Sequence, residues 1–567
     1  MSEKVVVIGG VALGTKSACR LKRVKPEANV VLLDKDEKIS YGGCGIPFYV
    51  SGDVAESEAL QSTAFHMVRD EKFFKDVKGF DVKTGVKAVK IDRDTKKVHA
   101  VNKQGDNLEF DYDKLVIGTG SRPKNLGIKG QELDNIFSIG NLDDAIKIKN
   151  LVASGGVGTA VIVGAGFIGL EMAESFADMW GIETSVVEVF DQIMPGFVSP
   201  AMAKMSMRTM ENNDVTFYTA EKVLEFTGDG KVTAVVTDKQ TLEADIVIMA
   251  VGIVANAEIA KDAGLEIGPT GAIVVNEKLE TSDPNIYAGG DCAEMVNLLT
   301  KKPGYYPLGS IANRHGRIIG TNLAGGNAQV DGAVGSWVLK MFEYCLAGTG
   351  LTLEAALDSG YDAISVMMCQ MDRAHFYPEN HLMHLELVVD QSTRQILGIQ
   401  GLGTGGDALV GRINTIAGIL KYKPTLEDVS NLEFAYSPPF SAAMDIINAL
   451  ANIADNVIAN RLDPVTSEEL ATIWDEKESG EYFFIDCREK PDAAPFMDKY
   501  PGVWNNIPQG EIKKRLEEIP KDKNIILVCN TGMRSYEAQL NLTEMGFSNT
   551  KSLYGGVKMV KDWGLDI

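Results

Sequence analysis

Two stretches of this chain can bury themselves in essentially one way, and they repeat each other. Residues 4–8, K-V-V-V-I, form a β-branched run of strand length that ends in Gly9-Gly10, passes into a helical pattern reaching Arg23, and re-emerges as V-V-L-L ending at Asp34. Residues 159–171, T-A-V-I-V-G-A-G-F-I-G-L-E, make the same strand, glycine turn and helix start, and the next strand, S-V-V, ends at Glu188. A strand apolar on both faces needs helices on both sides, so each stretch reads as a βαβ unit in a parallel sheet. Gly9, Gly10 and Gly14 allow a tight turn and let a pyrophosphate approach the free N–H groups of a helix start, with Val11 standing where a second glycine is usual. Gly164, Gly166 and Gly169 complete the G-x-G-x-x-G pattern between strand and helix. Asp34 and Glu188 each close a second strand, where a carboxylate accepts from a ribose hydroxyl; at Glu188 it would repel a 2′-phosphate, which points to NADH over NADPH. Two dinucleotide sites are expected.

At 567 residues the chain is too long for one core, and roughly 100–200 residues per domain implies about three to five units. A hydrophobic share of 45% against 24% charged is globular material, and no apolar run is long enough to cross a bilayer. The start, M-S-E-K-V-V-V-I-G-G, places a strand where an export signal would need a charged flank and an apolar stretch, so a cytoplasmic protein is expected. Seven scattered cysteines without zinc or disulfide spacing agree with a reducing compartment and point to no metal. A net charge of −22 argues against nucleic-acid binding. A local basic cluster on the first helix, Lys16, Arg20, Lys22 and Arg23, could still meet one anionic ligand.

Two further strand-and-glycine segments, at 112–123 and 245–252, suggest that the first nucleotide domain is interrupted by the second. From about Val330 to Asn460 the pattern changes to strands around Ala363–Met368 and Met383–Asp390 followed by helices rich in alanine and asparagine, an α+β unit. Leu462-Asp463-Pro464 breaks the last of these helices before T-S-E-E-L, a capping-box start, and short strands then alternate with helices as in an α/β domain. The expected segments are 1–150 and 256–328 for the split domain, 151–255 for the second nucleotide domain, 329–460, and 464–567.

Cys44 stands in S-Y-G-G-C-G-I-P-F, shortly after Asp34, and Cys529 heads C-N-T-G-M-R-S after an apolar strand. Glycines around Cys44 let backbone approach a charged sulfur, and a cysteine in such a loop can cycle as a mixed disulfide, a persulfide or a sulfenic acid. The segment T-S-D-P-N-I-Y-A-G-G-D, 281–291, resembles the second flavin motif of the pyridine nucleotide-disulfide oxidoreductases. Together with G-T-G at 118–120, the resemblance covers most of residues 1–325 and implies FAD, with Asp291 at the ribityl chain, Thr119 and Gly120 at the flavin nucleotide, and Glu171 near the nicotinamide. Members with two redox cysteines carry C-x4-C, but Tyr49 stands five residues beyond Cys44. This leaves coenzyme A-disulfide reductases, persulfide reductases and single-cysteine NADH oxidases or peroxidases. The peroxidase branch has a histidine in the first glycine turn, where this chain reads V-A-L-G.

R-A-H-F-Y-P at 373–378 and Y-S-P-P-F-S at 436–441 resemble the coenzyme A-disulfide reductase branch. That resemblance makes Tyr377 and Tyr436 active-site tyrosines supplied by a partner subunit, and so implies a homodimer with composite sites. It also assigns Arg20, Arg23 and Ser40 to coenzyme A, although Gly43 replaces the asparagine common before the branch's cysteine. Residues 464–567 resemble a rhodanese. Arg534 follows Cys529 with four residues between, where a phosphatase-like cradle would have five, and successive loop N–H groups can stabilise a thiolate or persulfide. Asp486 and Arg488 are expected to support that loop, Cys487 to be packing, and Tyr554-Gly555-Gly556 to close over it. The implied architecture is α/β, with two Rossmann-like domains, an α+β dimerisation domain and a rhodanese domain. The implied activity is FAD-dependent, NADH-driven reduction of persulfides, polysulfides or coenzyme A disulfide, with coenzyme A as a candidate carrier. An NADH oxidase or peroxidase with a passenger rhodanese, and a redox-sensing or sulfur-delivery adaptor, are the alternatives.

Overall fold

The computed structural model describes residues 3–567. It falls into two compact units, Met1–Asp191 with Asp214–Ala333, and Gln192–Asn213 with Val334–Ile567. In the first unit, strand β1 (Lys4–Ile8), helix α1 (Leu13–Val24) and strand β2 (Asn29–Leu33) form the first βαβ element, and the short helix α2 (Ile46–Ser51) follows. The parallel sheet runs Ile286–Ala288, Lys114–Ile117, β1, β2, Asp81–Lys83. Strands from both sides of the second nucleotide segment thus share one sheet.

Strand β3 (Thr159–Val163), helix α3 (Phe167–Ala177) and strand β4 (Glu183–Val187) make the second element, in a parallel sheet ordered Val215–Tyr218, β4, β3, Ile246–Met249, Ile136–Phe137. The two turns are built alike. Gly9 and Gly164 have φ of +101° and +102°, and a Cβ on Gly14 or Gly169 would lie 1.9 or 2.0 Å from the carbonyl oxygen of Gly9 or Gly164. Only glycine permits that approach of helix to strand end. Between β4 and Val215–Tyr218 the chain makes helix α4 (Pro200–Glu211), which belongs to the second unit. Back in the first unit, helix α5 (Gly309–Leu323) follows the flavin-motif segment.

In the second unit a five-stranded antiparallel sheet runs Trp337–Met341, Tyr344–Gly350, β7 (Ile396–Gly403), β6 (Leu382–Asp390), β5 (Ala363–Met371). One face carries Leu385 and Gly401, against which Leu409 of helix Gly406–Leu420 packs. The terminal parallel sheet runs Pro464–Val465, Thr550–Leu553, β8 (Asn524–Val528), Tyr482–Asp486, Trp504–Asn506. Thr466 caps its first helix in a capping box with Glu469. Helix α6 (Met533–Glu544) follows β8, and helix α7 (Gly556–Trp563) ends the domain. Among the described residues no helix is long and apolar enough to cross a membrane.

Candidate active site

Both dinucleotide turns hold their carboxylates with backbone donors. Asp34 accepts from the N–H of Gly10 at 2.6 Å and of Asp36 at 2.8 Å, and Glu188 from Ala165 at 2.7 Å and Phe190 at 3.0 Å. Each acid is therefore fixed facing its glycine turn, and burial raises the pKa of Asp34. A Cβ on Gly166 would meet nothing within 4 Å, so the start of α3 is open to a pyrophosphate; at the first turn Val11 is half-buried. Thr119 donates to the carbonyl of Asn256 at 2.6 Å, and Asn256 returns a bond to the Thr119 carbonyl at 2.9 Å. That clasp fixes the strand end at Gly120. Asp291 accepts from Ser121 at 3.1 Å and its carbonyl from Tyr305 at 2.8 Å, while burial raises its carboxyl pKa. Donors, open backbone and acids fit two dinucleotides, FAD at the first turn and NAD(P)H at the second.

Cys44 is exposed, in a short helical turn just before α2. Its thiol lies where α5 begins: a Cβ on Gly309 would be 3.6 Å from the sulfur, and the Gly309 N–H acts on the thiol as a pKa-lowering hydrogen bond. A helix N-terminus favours a thiolate. Although the residue as a whole is exposed, the chain holds the Cys44 pKa above its ordinary value, first because the atoms packed around the sulfur partly desolvate it and then through the carboxylates of Glu171 and Asp291. The loop is less of an anion cradle than its glycines suggest, because burial and two acids outweigh the two N–H groups, of Gly309 and of Cys44 itself, that oppose them. Burial, with help from Glu174, pushes Glu171 up to about 7. A Cβ on Gly43 would meet nothing within 4 Å, so the missing asparagine has no steric cause. Tyr49, in the second cysteine's place, is buried with the Lys149 ammonium 4.1 Å from its ring centroid.

Arg20 donates to Thr321 at 3.0 Å and Arg23 to the Cys19 carbonyl at 3.0 Å, so both lie along the surface of α1. Ser40 is buried, with φ of 53° and its N–H on the Gly10 carbonyl at 2.9 Å, which places it against the first nucleotide turn.

In the second unit Tyr377 is half-buried and Tyr436 is 51% exposed. Sequence reasoning missed the residue that ties their segments together. Buried Arg412 donates to Asp445 at 2.7 Å and to the Asp372 carbonyl at 3.0 Å, one anchor just after Y-S-P-P-F-S and the other just before R-A-H-F-Y-P. No local pattern marks Arg412, since its partners come from distant segments.

Cys529 follows β8 directly and is buried. The Gly532 N–H donates to its sulfur at 3.1 Å, and α6 begins at the next residue. The Ser535 hydroxyl lies 3.5 Å from the same sulfur and accepts from Ser552 at 2.9 Å. Ser535 was visible as the last residue of the loop motif but carried no assignment. Arg534 is half-buried and its charge reaches the neighbouring Cys487 thiol, lowering a pKa that burial raises. Arg488 pairs with Asp486 at 2.6 Å and donates to the Asn530 side chain at 3.3 Å, while Trp504 donates to Asp486 at 3.0 Å. Among the described residues no group of three or more His, Cys, Asp or Glu side chains is placed to hold a metal ion.

Three family models match in sequence order. Pyridine nucleotide-disulphide oxidoreductase matches residues 3–316, the dimerisation domain of that family 338–446, and the rhodanese-like domain 469–562. The NAD(P)H coenzyme A polysulfide/persulfide reductase of Pyrococcus horikoshii is 33% identical over 453 residues, 80% of this chain and 98% of that one. The NADH oxidase of Methanocaldococcus jannaschii is 30% identical over 458 residues, 81% of this chain and all of the relative. The structure of an NAD-dependent persulfide reductase from A. fulgidus superposes with a TM-score of 0.92 at 35% identity, covering 98% of this chain and 99% of that one.

Proposed function

We propose that this chain, which belongs to the pyridine nucleotide-disulphide oxidoreductase family, is an NADH-dependent reductase of sulfane sulfur with Cys44 as its redox thiol and Cys529 as its sulfur carrier. The observation that carries this reading is an exposed Cys44 with a tyrosine in place of a second thiol, in the same chain as a rhodanese-like loop whose N–H donates to a buried cysteine sulfur. Acting on sulfur, a thiol without a resolving partner forms its disulfide or persulfide with the substrate itself.

Cys529 attacks the outer sulfur of a donor, the donor's bond to that sulfur breaks, and Cys529 holds a persulfide among the loop donors. At Cys44 the thiolate attacks a persulfide, the substrate S–S bond breaks, and hydrosulfide or a thiolate leaves while the remaining sulfur stays on Cys44. Two electrons, which a bound flavin reduced by NADH would supply, would break the S–S bond on Cys44, so that the group held there leaves as thiol or hydrosulfide and Cys44 returns to thiolate. Glu171 can hold a proton beside Cys44 near neutrality, since its pKa is about 7. Arg20 and Arg23 offer charge for the phosphates of coenzyme A, with Ser40 as a third contact, and coenzyme A persulfide is the carrier favoured between the two cysteines. In this reading Tyr377 and Tyr436 serve the site of a second subunit, the chain works as a homodimer in the cytoplasm, and the domain limits are those given by its sequence.

Steady-state NADH consumption and sulfide release, compared across coenzyme A disulfide, coenzyme A persulfide, glutathione persulfide and polysulfide, test the proposal. The persulfides and polysulfide should release sulfide in step with NADH. NADH oxidation that consumes only oxygen and releases no sulfide would support the oxidase reading instead.

A further inference from the structure

The second face of the antiparallel sheet carries a buried polar row. Cys369 of β5 pairs with His384 of β6, and two residues along β6 Glu386 pairs with Gln400 of β7. Their exposures are 1%, 2%, 3% and 3%. Side chains alternate along a strand, so these residues point away from Leu385 and the helix packed on it. What they meet belongs to two distant stretches of chain.

The Cys369 thiol donates to the carbonyl of Gly555 at 3.2 Å, and His384 Nε2 lies 2.8 Å from the Asp562 carboxylate. Gly555 and Asp562 stand at the two ends of α7. Glu386 accepts from the Ser199 hydroxyl, and Gln400 from the Ser199 N–H at 3.0 Å, which fixes the start of α4. From α4, Lys204 sits 3.4 Å over the Trp563 ring centroid, and Arg208 lies against Gly564. Helix α7 is thus held at its first turn by Cys369 and at its last by His384 and Lys204.

The same helix closes over the sulfur loop. Val557 N–H donates to the Cys529 carbonyl at 2.9 Å and Lys558 N–H to the Asn530 carbonyl at 3.2 Å. A Cβ on Gly556 would lie 2.2 Å from the Cys529 carbonyl oxygen. No side chain separates α7 from the loop backbone, so a displacement of α7 displaces Cys529.

We propose that Cys369 and His384 are positioning residues for the Cys529 sulfur loop, acting through the two ends of α7. The polar groups are otherwise hard to account for in a sheet interior. His384 Nδ1 is buried without a hydrogen-bond partner, an arrangement that costs stability, while the other ring nitrogen makes the Asp562 contact. Bonding through Nε2 to a carboxylate also sets which ring nitrogen carries the proton. Apolar packing would attach α7 to the sheet equally well, but hydrogen bonds of defined direction fix its register along and around its axis.

The inference rests on the reading of Cys529 as a sulfur carrier. Its test uses the full-length FAD-loaded enzyme in four forms: parent, Cys369→Ala with Asp562→Ala, and the conservative single variants Cys369→Ser and Asp562→Asn, which keep a donor and an acceptor in place. Transfer from thiosulfate to cyanide is measured, in which Cys529 takes the outer sulfur with loss of sulfite and passes it to cyanide as thiocyanate. Hydrogen exchange is followed at the amides of 529–532 and 556–558. The double alanine variant should lose about ten- to a hundredfold in kcat with little change in KM for thiosulfate, and its loop amides should exchange faster. Both conservative variants should stay near the parent, and NADH-driven reduction of coenzyme A disulfide should be unchanged in all forms. Parent-like kcat and exchange in the double variant, or conservative variants that fall as far as the alanines, would overturn the proposal. If the parent itself shows no thiosulfate transfer, the carrier reading fails, and the exchange comparison alone still decides whether the sheet positions the loop.

Discussion

The charge of Glu171 acts on the Cys44 thiol. The carboxylate of Glu171 raises the Cys44 pKa, so removing its charge lowers that pKa and makes the thiol nucleophilic at lower pH. Glu171→Gln should shift the pH profile of Cys44 alkylation by iodoacetamide toward acid; an unshifted profile would mean that the carboxylate does not act on the sulfur. Stability has its own signature. The folded-state pKa of Glu171 is about 7 against an ordinary 4.5, so its contribution to stability is complete below the lower value and is lost as pH rises through the upper one. The same variant should flatten the fall in melting temperature across that window. At the second nucleotide turn, Glu188 is fixed by the N–H groups of Ala165 and Phe190 with its carboxylate buried. Glu188→Ala should reduce the preference for NADH over NADPH by about 1–3 kcal/mol, the scale of a charged hydrogen bond, as read from the ratio of kcat/KM values. A parent enzyme that already favours NADPH would contradict the role given to Glu188.

Among the elements, the tightest fit lies where α7 meets the sulfur loop. Gly556 has φ of +59° and no room for a Cβ beside the Cys529 carbonyl. Gly556→Ala should therefore disrupt the loop, abolishing thiosulfate sulfurtransfer while leaving coenzyme A disulfide reduction by Cys44 near the parent rate. Equal loss of both activities would show that the domains fail together. Elements of this kind were unevenly legible in the sequence. The two βαβ elements could be read almost to the residue, because β-branched runs, glycine turns and strand-ending acids are local signals: β1 is Lys4–Ile8 and β3 Thr159–Val163, as their patterns imply. The capping box at Thr466 was readable for the same reason. Strand β6 was visible as a strand, but in H-L-E-L-V-V-D its His384 and Glu386 look like the solvent side of an alternating pattern. They are buried because Asp562 and Ser199, 178 and 187 residues away along the chain, cover them. Helix α4 follows β4 directly in the chain, and only its tertiary contacts assign it to the second unit. Arg412 and the Gly309 N–H escaped notice for that reason also.

At the scale of the molecule, a nucleotide-binding unit carries Cys44 and a second unit carries the tyrosines and Cys529. The second unit leaves Phe376, Phe440 and Met444 exposed at 68%, 74% and 57%, all in or beside the tyrosine segments. Apolar surface of that kind beside the two tyrosines is what a second subunit would cover in the dimer proposed here. A division of work between the two cysteines, one reducing sulfur and the other carrying it, is what the proposed function requires. Its most direct measurement runs thiosulfate sulfurtransfer, polysulfide reduction and coenzyme A disulfide reduction on Cys44→Ser and Cys529→Ser side by side. Cys44→Ser should lose both NADH-driven reductions with its FAD content and its sulfurtransfer intact. Cys529→Ser should lose sulfurtransfer and slow polysulfide reduction while still reducing coenzyme A disulfide. Sulfide release that survives Cys44→Ser, or a Cys529→Ser enzyme that keeps sulfurtransfer or loses disulfide reduction, would contradict the account.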